Sequence, residues 1–304
     1  MNINQFKVLT VIEECGTFSD AAKILGFSQP GISRQIKKIE WELGITIFKR
    51  SKSGAVPTDK GLVVLKFAKE TIRSYQNFLE SITDKNSMNG MIKIIASTTP
   101  GEYILPSIIA EFNDHYPSVL IETRIANSNI VTAEIVAGKS DIGFIGINTP
   151  EKTIVHEVIA KDEIVLAIPA GHEFEHRKTV ELAELSKQRL LKRESGSGTY
   201  ESLFRILNEQ KLNLPENTNS ITLGSTQAII SAVHAGIGIG FVTTRALSRY
   251  NDTRISFTRL NRIPLFRHLF LIHKHEAVEK YHLNSFINFA RKYSNSLHNS
   301  LGTE

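Results

Sequence analysis

The chain has 304 residues, with 36 basic against 31 acidic side chains, a net charge of +5 and a single cysteine. Hydrophobic residues make up 41% and charged residues 22%, as in an ordinary globular protein large enough for two or three domains. One cysteine rules out an intrachain disulfide and fits a reducing compartment. No apolar run approaches the ~20 residues that span a bilayer. Residues 2–7 lead into an amphipathic helix rather than a signal peptide. These features predict a cytoplasmic protein with no membrane partner, and Cys15 in that first helix reads as a packed structural thiol.

Residues 17–40 read as two helices joined by a tight turn. Ser19 or Thr17 can cap the first, whose inner face carries Ala22 and Leu25, and Gly26 ends it because glycine takes the left-handed conformation at no steric cost. Ser28 then offers a hydroxyl cap, and Pro30 sits in the first turn, where a missing N–H does no harm. Ile32, Ile36 and Ile39 form one inward stripe, while Gln29, Ser33, Arg34, Lys37 and Lys38 lie on the opposite face, able to donate to phosphates and base edges. Ala21 and Ala22 allow the close helix crossing of a helix-turn-helix. A plain surface helix pair would explain the charges alone; cap, turn, stripe and polar face together favour DNA binding.

Trp41, Leu43, Ile45, Ile47 and Phe48 are expected to close this small core. Ile45–Phe48 and Ala55–Pro57 read as two strands around a basic tip, Lys49–Arg50–Ser51–Lys52–Ser53–Gly54, a wing suited to phosphates or a minor groove. From Ser28 to Lys52 six basic residues stand against Glu40 and Glu42, so nearly all of the net charge of +5 is local.

Phe6, Val11, Gly16–Thr17–Phe18, Ala21–Ala22, Leu25, Ser28–Gln29–Pro30, Ser33, Ile36, Ile39–Glu40, Leu43–Gly44, Phe48, Arg50 and Thr58–Lys60–Gly61 resemble the LysR-type transcriptional regulators. The match is dense over residues 1–61 and looser beyond, to the C-terminus. Gly31 stands where that family often has Ala or Thr, which weakens local helix propensity. The resemblance implies an effector-responsive DNA-binding regulator that forms a homodimer or homotetramer, with a periplasmic-binding-protein-like effector domain.

Further along, Leu65, Ala68, Ile72, Tyr75, Leu79 and Ile82 recur at heptad spacing, which predicts a long helix pairing with its own copy. From Met91 strands and helices alternate. Strands are expected at Ile92–Ala96, Val119–Ile125, Asp141–Ile145, Ile164–Pro169, Arg189–Lys192, Ile237–Val242 and Leu269–His273. Helices are expected at Tyr103–His115, Ile130–Ala137, Gly198–Lys211, Thr226–Ala235 and Val278–Ser294. The fold class is therefore α/β with mostly parallel sheets, behind an N-terminal winged helix-turn-helix. The domains expected are 1–58 for DNA binding and 59–88 for the dimerisation helix. An effector domain follows, with one lobe from 91–161 and 269–297 and a second from 162–268.

In open α/β sheets ligands bind beyond the carboxyl ends of strands, often at helix starts. Four hydroxyl-rich stretches occupy such places: 97–101, 127–129, 193–199 and 224–226. They nominate Ser97, Thr98, Thr99, Asn127, Ser128, Arg193, Thr199 and Thr226 as effector-binding residues. Converging on one cleft they favour a small anion; each alone is ordinary capping. The resemblance places the effector there too.

His172–Glu173–Phe174–Glu175–His176 fits the H-E-x-x-H zinc pattern, yet Pro169–Ala170–Gly171 before it and a polar run after it mark a loop rather than a buried helix. Gly236–Ile237–Gly238–Ile239–Gly240 follows a helix, the wrong context for a dinucleotide loop. No cofactor, metal or catalytic set is expected. The reading is a DNA-binding regulator, not an enzyme. Gln29 and Arg34 reach bases of double-stranded DNA, and Ser28, Pro30, Ser33, Lys37, Lys49, Arg50 and Lys52 complete the interface. The rival is an enzyme or solute-binding α/β protein carrying a basic helical domain.

Overall fold

Asn2 opens the first helix with a reciprocal cap: its side chain accepts from the Gln5 amide at 3.0 Å, and the Gln5 side chain accepts from the Asn2 amide at 2.8 Å. The structure, a computed structural model, describes residues 1–51, 54–82, 88–149, 151, 153–215, 219–250 and 253–300. The side chains at 50, 51, 73, 76, 77, 79–82 and 295–300 lie outside that description. The chain divides into two units, Met1–Ser87 and Met88–Glu304.

The first unit packs α1 (Ile3–Cys15), α2 (Phe18–Ile24) and α3 (Gln29–Leu43) beside a hairpin of β1 (Phe48–Ser51) and β2 (Gly54–Pro57), followed by α4 (Asp59–Ile82). Thr17 caps α2 by accepting from the Asp20 amide at 3.0 Å. Gly44 ends α3 in the left-handed region at φ 66°. Leu9, Ile12, Ala21, Ile32, Ile36, Ile39, Ile47 and Phe48 form the core. Two close approaches fix the hairpin. A Cβ on Gly54 would lie 2.2 Å from the Gly16 carbonyl oxygen, and one on Gly61 would lie 2.1 Å from that of Ile47.

Three expectations for this unit need correction. The first wing strand begins at Phe48, not Ile45, because the Glu40 carboxylate holds the Ile47 and Phe48 amides at 2.7 and 3.2 Å. Trp41 and Leu43 do not close the core: Trp41 is 84% exposed and Leu43 is exposed beside it. The heptad seam fails at its first three positions. Leu65 and Ala68 are buried in this unit's own core, with Ile72 packed against it. Tyr75, the fourth seam position, is exposed, and the other exposed apolar residues of α4 lie on other faces, with Val63 69% and Phe67 58% exposed and Leu62 and Phe78 also exposed. The side chains of Leu79 and Ile82 lie outside the described residues.

The second unit begins with β3 (Gly90–Ala96), α5 (Thr98–Tyr103), α6 (Leu105–His115), β4 (Val119–Ile125), α7 (Ser128–Val136), β5 (Ile142–Ile145) and the long β6 (Ile154–Pro169). It continues with β7 (Thr179–Val180), β8 (Leu190–Arg193), α8 (Gly198–Glu209), β9 (Ile221–Leu223), α9 (Thr226–His234), β10 (Ile239–Thr243), α10 (Thr244–Leu247), β11 (Ile255–Leu260), β12 (Phe266–Lys274) and α11 (Tyr281–Ser300). Among the described residues the strands join in one ten-stranded sheet whose main path runs β4-β3-β5-β12-β6-β10-β8-β9. It is parallel at both ends, as expected, but antiparallel where β12 pairs β5 and β6 and where β10 pairs β6.

Strand β6 carries the chain from one half of the sheet to the other. Its residues up to Glu163 pair with β12, and from Ile164 onward it pairs with β10. Ile164, Leu166 and Ile168 face one core with Phe174, Leu203 and Phe241, while Val165 and Ala167 face another with Ile229 and Val242. The unbroken apolar run thus reflects burial on both faces. In the first half, Ile92, Ile94 and Phe112 pack with Phe286 of α11, and Ile95 packs on the other face with Val131 and Ile135.

At the outer end of β6, Glu157 ties three elements together. Its carboxylate lies 3.0 Å from Nε2 of His273 on β12 and accepts from Arg291 Nη2 on α11 at 2.7 Å. Burial pushes this carboxyl up, and the bonds and charges of His273 and Arg291 overcome it, holding it at about 2. A depressed carboxyl stabilises the fold above its ordinary value of 4.5, and that stability is lost as pH falls toward about 2. Glu157→Gln is therefore expected to lower stability at neutral pH and to flatten the acid limb of a stability-versus-pH curve from urea unfolding. Superimposable acid limbs would refute this.

Candidate functional site

In the first unit α3 presents one polar face. Ser28 accepts from the Gly31 amide at 3.2 Å and fixes the helix start. A Cβ on residue 31 would stand 3.1 Å from that hydroxyl, so glycine leaves the cap uncrowded. Gln29, Pro30, Arg34, Lys37 and Lys38 are exposed and Ser33 is partly so. Arg34 is braced by its Nε donating to the Pro30 carbonyl at 3.3 Å. Lys49 is exposed on β1. The Arg50 side chain and all of Lys52 lie outside the described residues.

In the second unit a cleft of about 230 Å³, including its opening to solvent, is lined by Ser97, Thr98, Thr99, Asn127, Ser128, Arg193, Ser197, Gly198, Thr199 and Arg267. Seven of the eight nominated effector residues meet there. The eighth, Thr226, stands one step back, its hydroxyl accepting from Arg193 Nη1 at 2.9 Å. Each stretch arrives at a strand end. The Ser97 amide donates to the Phe144 carbonyl at 2.7 Å where β3 meets α5. Asn127 caps α7 by accepting from Ile130 at 2.9 Å. Gly196, at φ 85°, turns the chain from β8 into α8.

Charge in the cleft is supplied but already balanced. Arg193 is buried and donates from Nε and Nη2 to both oxygens of Glu194 at 2.8 Å. Burial raises the Glu194 carboxyl, and Arg193 more than offsets this, leaving it below the usual range. Arg267 was not nominated. It donates from Nε to Asp162 Oδ2 at 2.9 Å and from Nη2 to the Thr99 hydroxyl at 3.0 Å, with both charged side chains sealed from solvent. Arg245 approaches the other oxygen of Asp162 at 3.7 Å. The two arginines that line the cleft, Arg193 and Arg267, are thus each matched by a carboxylate, Glu194 and Asp162. The signal for Arg267 was its place on β12, where Leu269 and Leu271 mark the buried alternation.

Two buried hydroxyls of the cleft lining, Ser128 Oγ and Ser197 Oγ, have no hydrogen-bond partner among the described residues. Buried polar groups are rarely left so. A Cβ on Gly198 would lie 2.6 Å from Ser128 Oγ, so glycine keeps that hydroxyl's surroundings open. Ser202 of α8 donates to the Gly146 carbonyl at 3.0 Å, linking the two halves behind the cleft.

The H-E-x-x-H residues form no metal centre. His172 turns Nε2 to Gln188 at 3.1 Å and its Nδ1 accepts from the Phe174 amide. Among the described residues no group of His, Cys, Asp or Glu could hold a metal ion. No helix among them is long and apolar enough to cross a membrane.

A winged helix-turn-helix followed by a two-halved α/β unit with a polar cleft defines a ligand-sensing DNA-binding protein. Family models agree with that class: residues 3–62 match the bacterial regulatory helix-turn-helix protein, lysR family, and residues 85–295 match the LysR substrate binding domain. The chain belongs to the LysR family of DNA-binding transcriptional regulators, and its relatives are regulators rather than enzymes. The regulator CysL of Bacillus subtilis is 32% identical over 87% of this chain and 88% of its own. An uncharacterised HTH-type regulator of Methanocaldococcus jannaschii is 29% identical over 95% of this chain and 98% of its own. Among solved structures, full-length BenM superposes with a TM-score of 0.60 at 21% identity, covering 100% of this chain and 99% of that one. CbnR complexed with its target DNA gives 0.56 at 21%, covering 97% and 100%. These likenesses establish a shared fold.

The buried Asp162–Arg267 pair generates a stability prediction. Arg267→Met leaves Asp162 with only the distant Arg245 and is expected to cost about 3–5 kcal/mol. Adding Asp162→Asn should recover most of that loss. Urea unfolding of both variants checks this, and a double variant no more stable than the single would refute it.

Proposed function

We propose that this chain is a one-component regulator in which a small anion, held in the cleft of the second unit, controls binding of duplex DNA by the first. It acts in the cytoplasm, where the DNA is. Gln29 and Arg34 read base edges. Ser28, Pro30, Ser33, Lys37, Lys49, Arg50 and Lys52 position the helix and wing on the phosphates. The observation that carries the effector reading is the pair of partnerless buried hydroxyls, Ser128 and Ser197, beside Thr99 and Arg267. Each of these hydroxyls can donate into the cleft, which Arg193 and Arg267 also line. An oxyanion supplies the missing acceptors. The hydroxyl-rich, carboxylate-free lining favours this over a cation or an apolar ligand.

The test is an effector-responsive DNA-binding assay with small anions as probes. Arg34→Ala should weaken specific binding by ~1–3 kcal/mol and relax base preference. Thr99→Val and Thr199→Val should bind DNA normally but need about tenfold or more anion to respond, each lost bond being worth ~1.5–3 kcal/mol. Folded threonine variants that respond at ordinary anion concentrations would sink the cleft assignment.

The protein acts as a homodimer or homotetramer. The pairing surface is the exposed stripe of α4 that carries Val63, Phe67 and Phe78, since the inward positions serve its own core. Phe67→Glu should shift sedimentation of the full chain toward smaller species. An unchanged sedimentation coefficient would remove that stripe from the interface.

A further inference from the structure

The chain contains one tryptophan, and it is 84% exposed. Trp41 lies on α3, on the face that carries Arg34, Lys37 and Lys38, at helical spacings of seven, four and three. A single exposed aromatic is ordinary on a protein surface; what sets Trp41 apart is the charge around it. The acids on either side of it are turned elsewhere. Glu40 holds the Ile47 and Phe48 amides, and Glu42 pairs with the Met1 amino group at 3.5 Å. The face that Trp41 shares is therefore cationic, and it belongs to the helix that addresses DNA.

We infer that Trp41 is a DNA-positioning residue, its ring against a deoxyribose and its indole N–H donating to a phosphate at the edge of the groove. The inference rests on α3 lying in the major groove and extends that contact beyond the residues nominated above. Trp41 stands seven residues after Arg34, ~10 Å farther along the helix axis. When the first turns of α3 reach base edges, a side chain at that distance meets the backbone flanking them. An indole offers a flat apolar ring and a single donor with no charge. It anchors the helix without reading sequence and without displacing a counterion.

The lone tryptophan is its own reporter. The probe is a random-sequence duplex at low salt, titrated into the full chain while indole emission is recorded. Anisotropy of a fluorescein-labelled copy reports binding in parallel. Emission is expected to change in step with anisotropy. Trp41→Ala is expected to bind specific and random duplexes alike about 5–10-fold more weakly, with its melting temperature unchanged. Its salt dependence should match wild type, because a neutral donor releases no counterion, whereas Lys37→Ala should lower the slope by about one. Trp41→Phe, which keeps a ring but loses the N–H, should fall between. Indole emission that stays constant while the duplex is bound would overturn the inference, as would full affinity in Trp41→Ala. Emission that follows protein concentration and ignores DNA would assign the residue to self-association instead. A wild-type chain that binds no duplex would remove the placement of α3 itself.

Discussion

Asp162 and Arg267 meet at 2.9 Å with both side chains sealed from water, and the second unit is organised about that contact. Each residue sits on one of the two strands joining the halves of the sheet, close to where β6 changes partners. Two buried charges are tolerable only as a pair. Strands β6 and β12 are thereby held in one register at the crossing. The same guanidinium fixes the Thr99 hydroxyl at 3.0 Å, so strand crossing and cleft wall share one group. A shift at either is felt at the other, because a buried ion pair has no solvent to relax into.

Local chemistry made the helix-turn-helix legible. Caps, a left-handed glycine and a stripe of isoleucines depend on neighbours a few residues away, and Thr17, Ser28 and Gly44 perform as their types suggest. Periodicity was weaker evidence. The spacing of Leu65, Ala68 and Ile72 established that they share a face, but not that α1 would cover it. Trp41 failed for the complementary reason: hydrophobic character says nothing of which side of a helix is closed. In the second unit β6 was read only from Ile164, because its first ten residues mix charges with apolar positions where α11 and β12 supply ionic partners. The short strands β9 and β11 carried too little pattern to be seen.

The hydroxyl stretches were individually indistinct from helix caps, and the fold separated the two uses. Asn127 and Ser225 do cap, accepting from Ile130 and Ala228. Ser97 and Ser197 occupy cap positions without making the cap bond. Sequence could place them beyond strand ends but could not reveal which would be left unsatisfied. That distinction depends on the approach of Gly198 to Ser128 across the two halves, a relation between residues seventy apart. Arg267 was hidden for a simpler reason: a single arginine in a strand usually faces water.

The meeting of Gly54 with the Gly16 carbonyl has a consequence for how such a protein diversifies. The Ala55 amide also donates to that carbonyl at 2.7 Å, so hairpin and helical turn share one backbone junction with no room for a side chain. The hairpin cannot be re-aimed as a movable flap; it travels with the helices as one piece. New operator preferences must therefore arise by exchanging side chains on a fixed frame. A hairpin transplanted from another regulator would fit only if its own sequence placed a glycine at that junction.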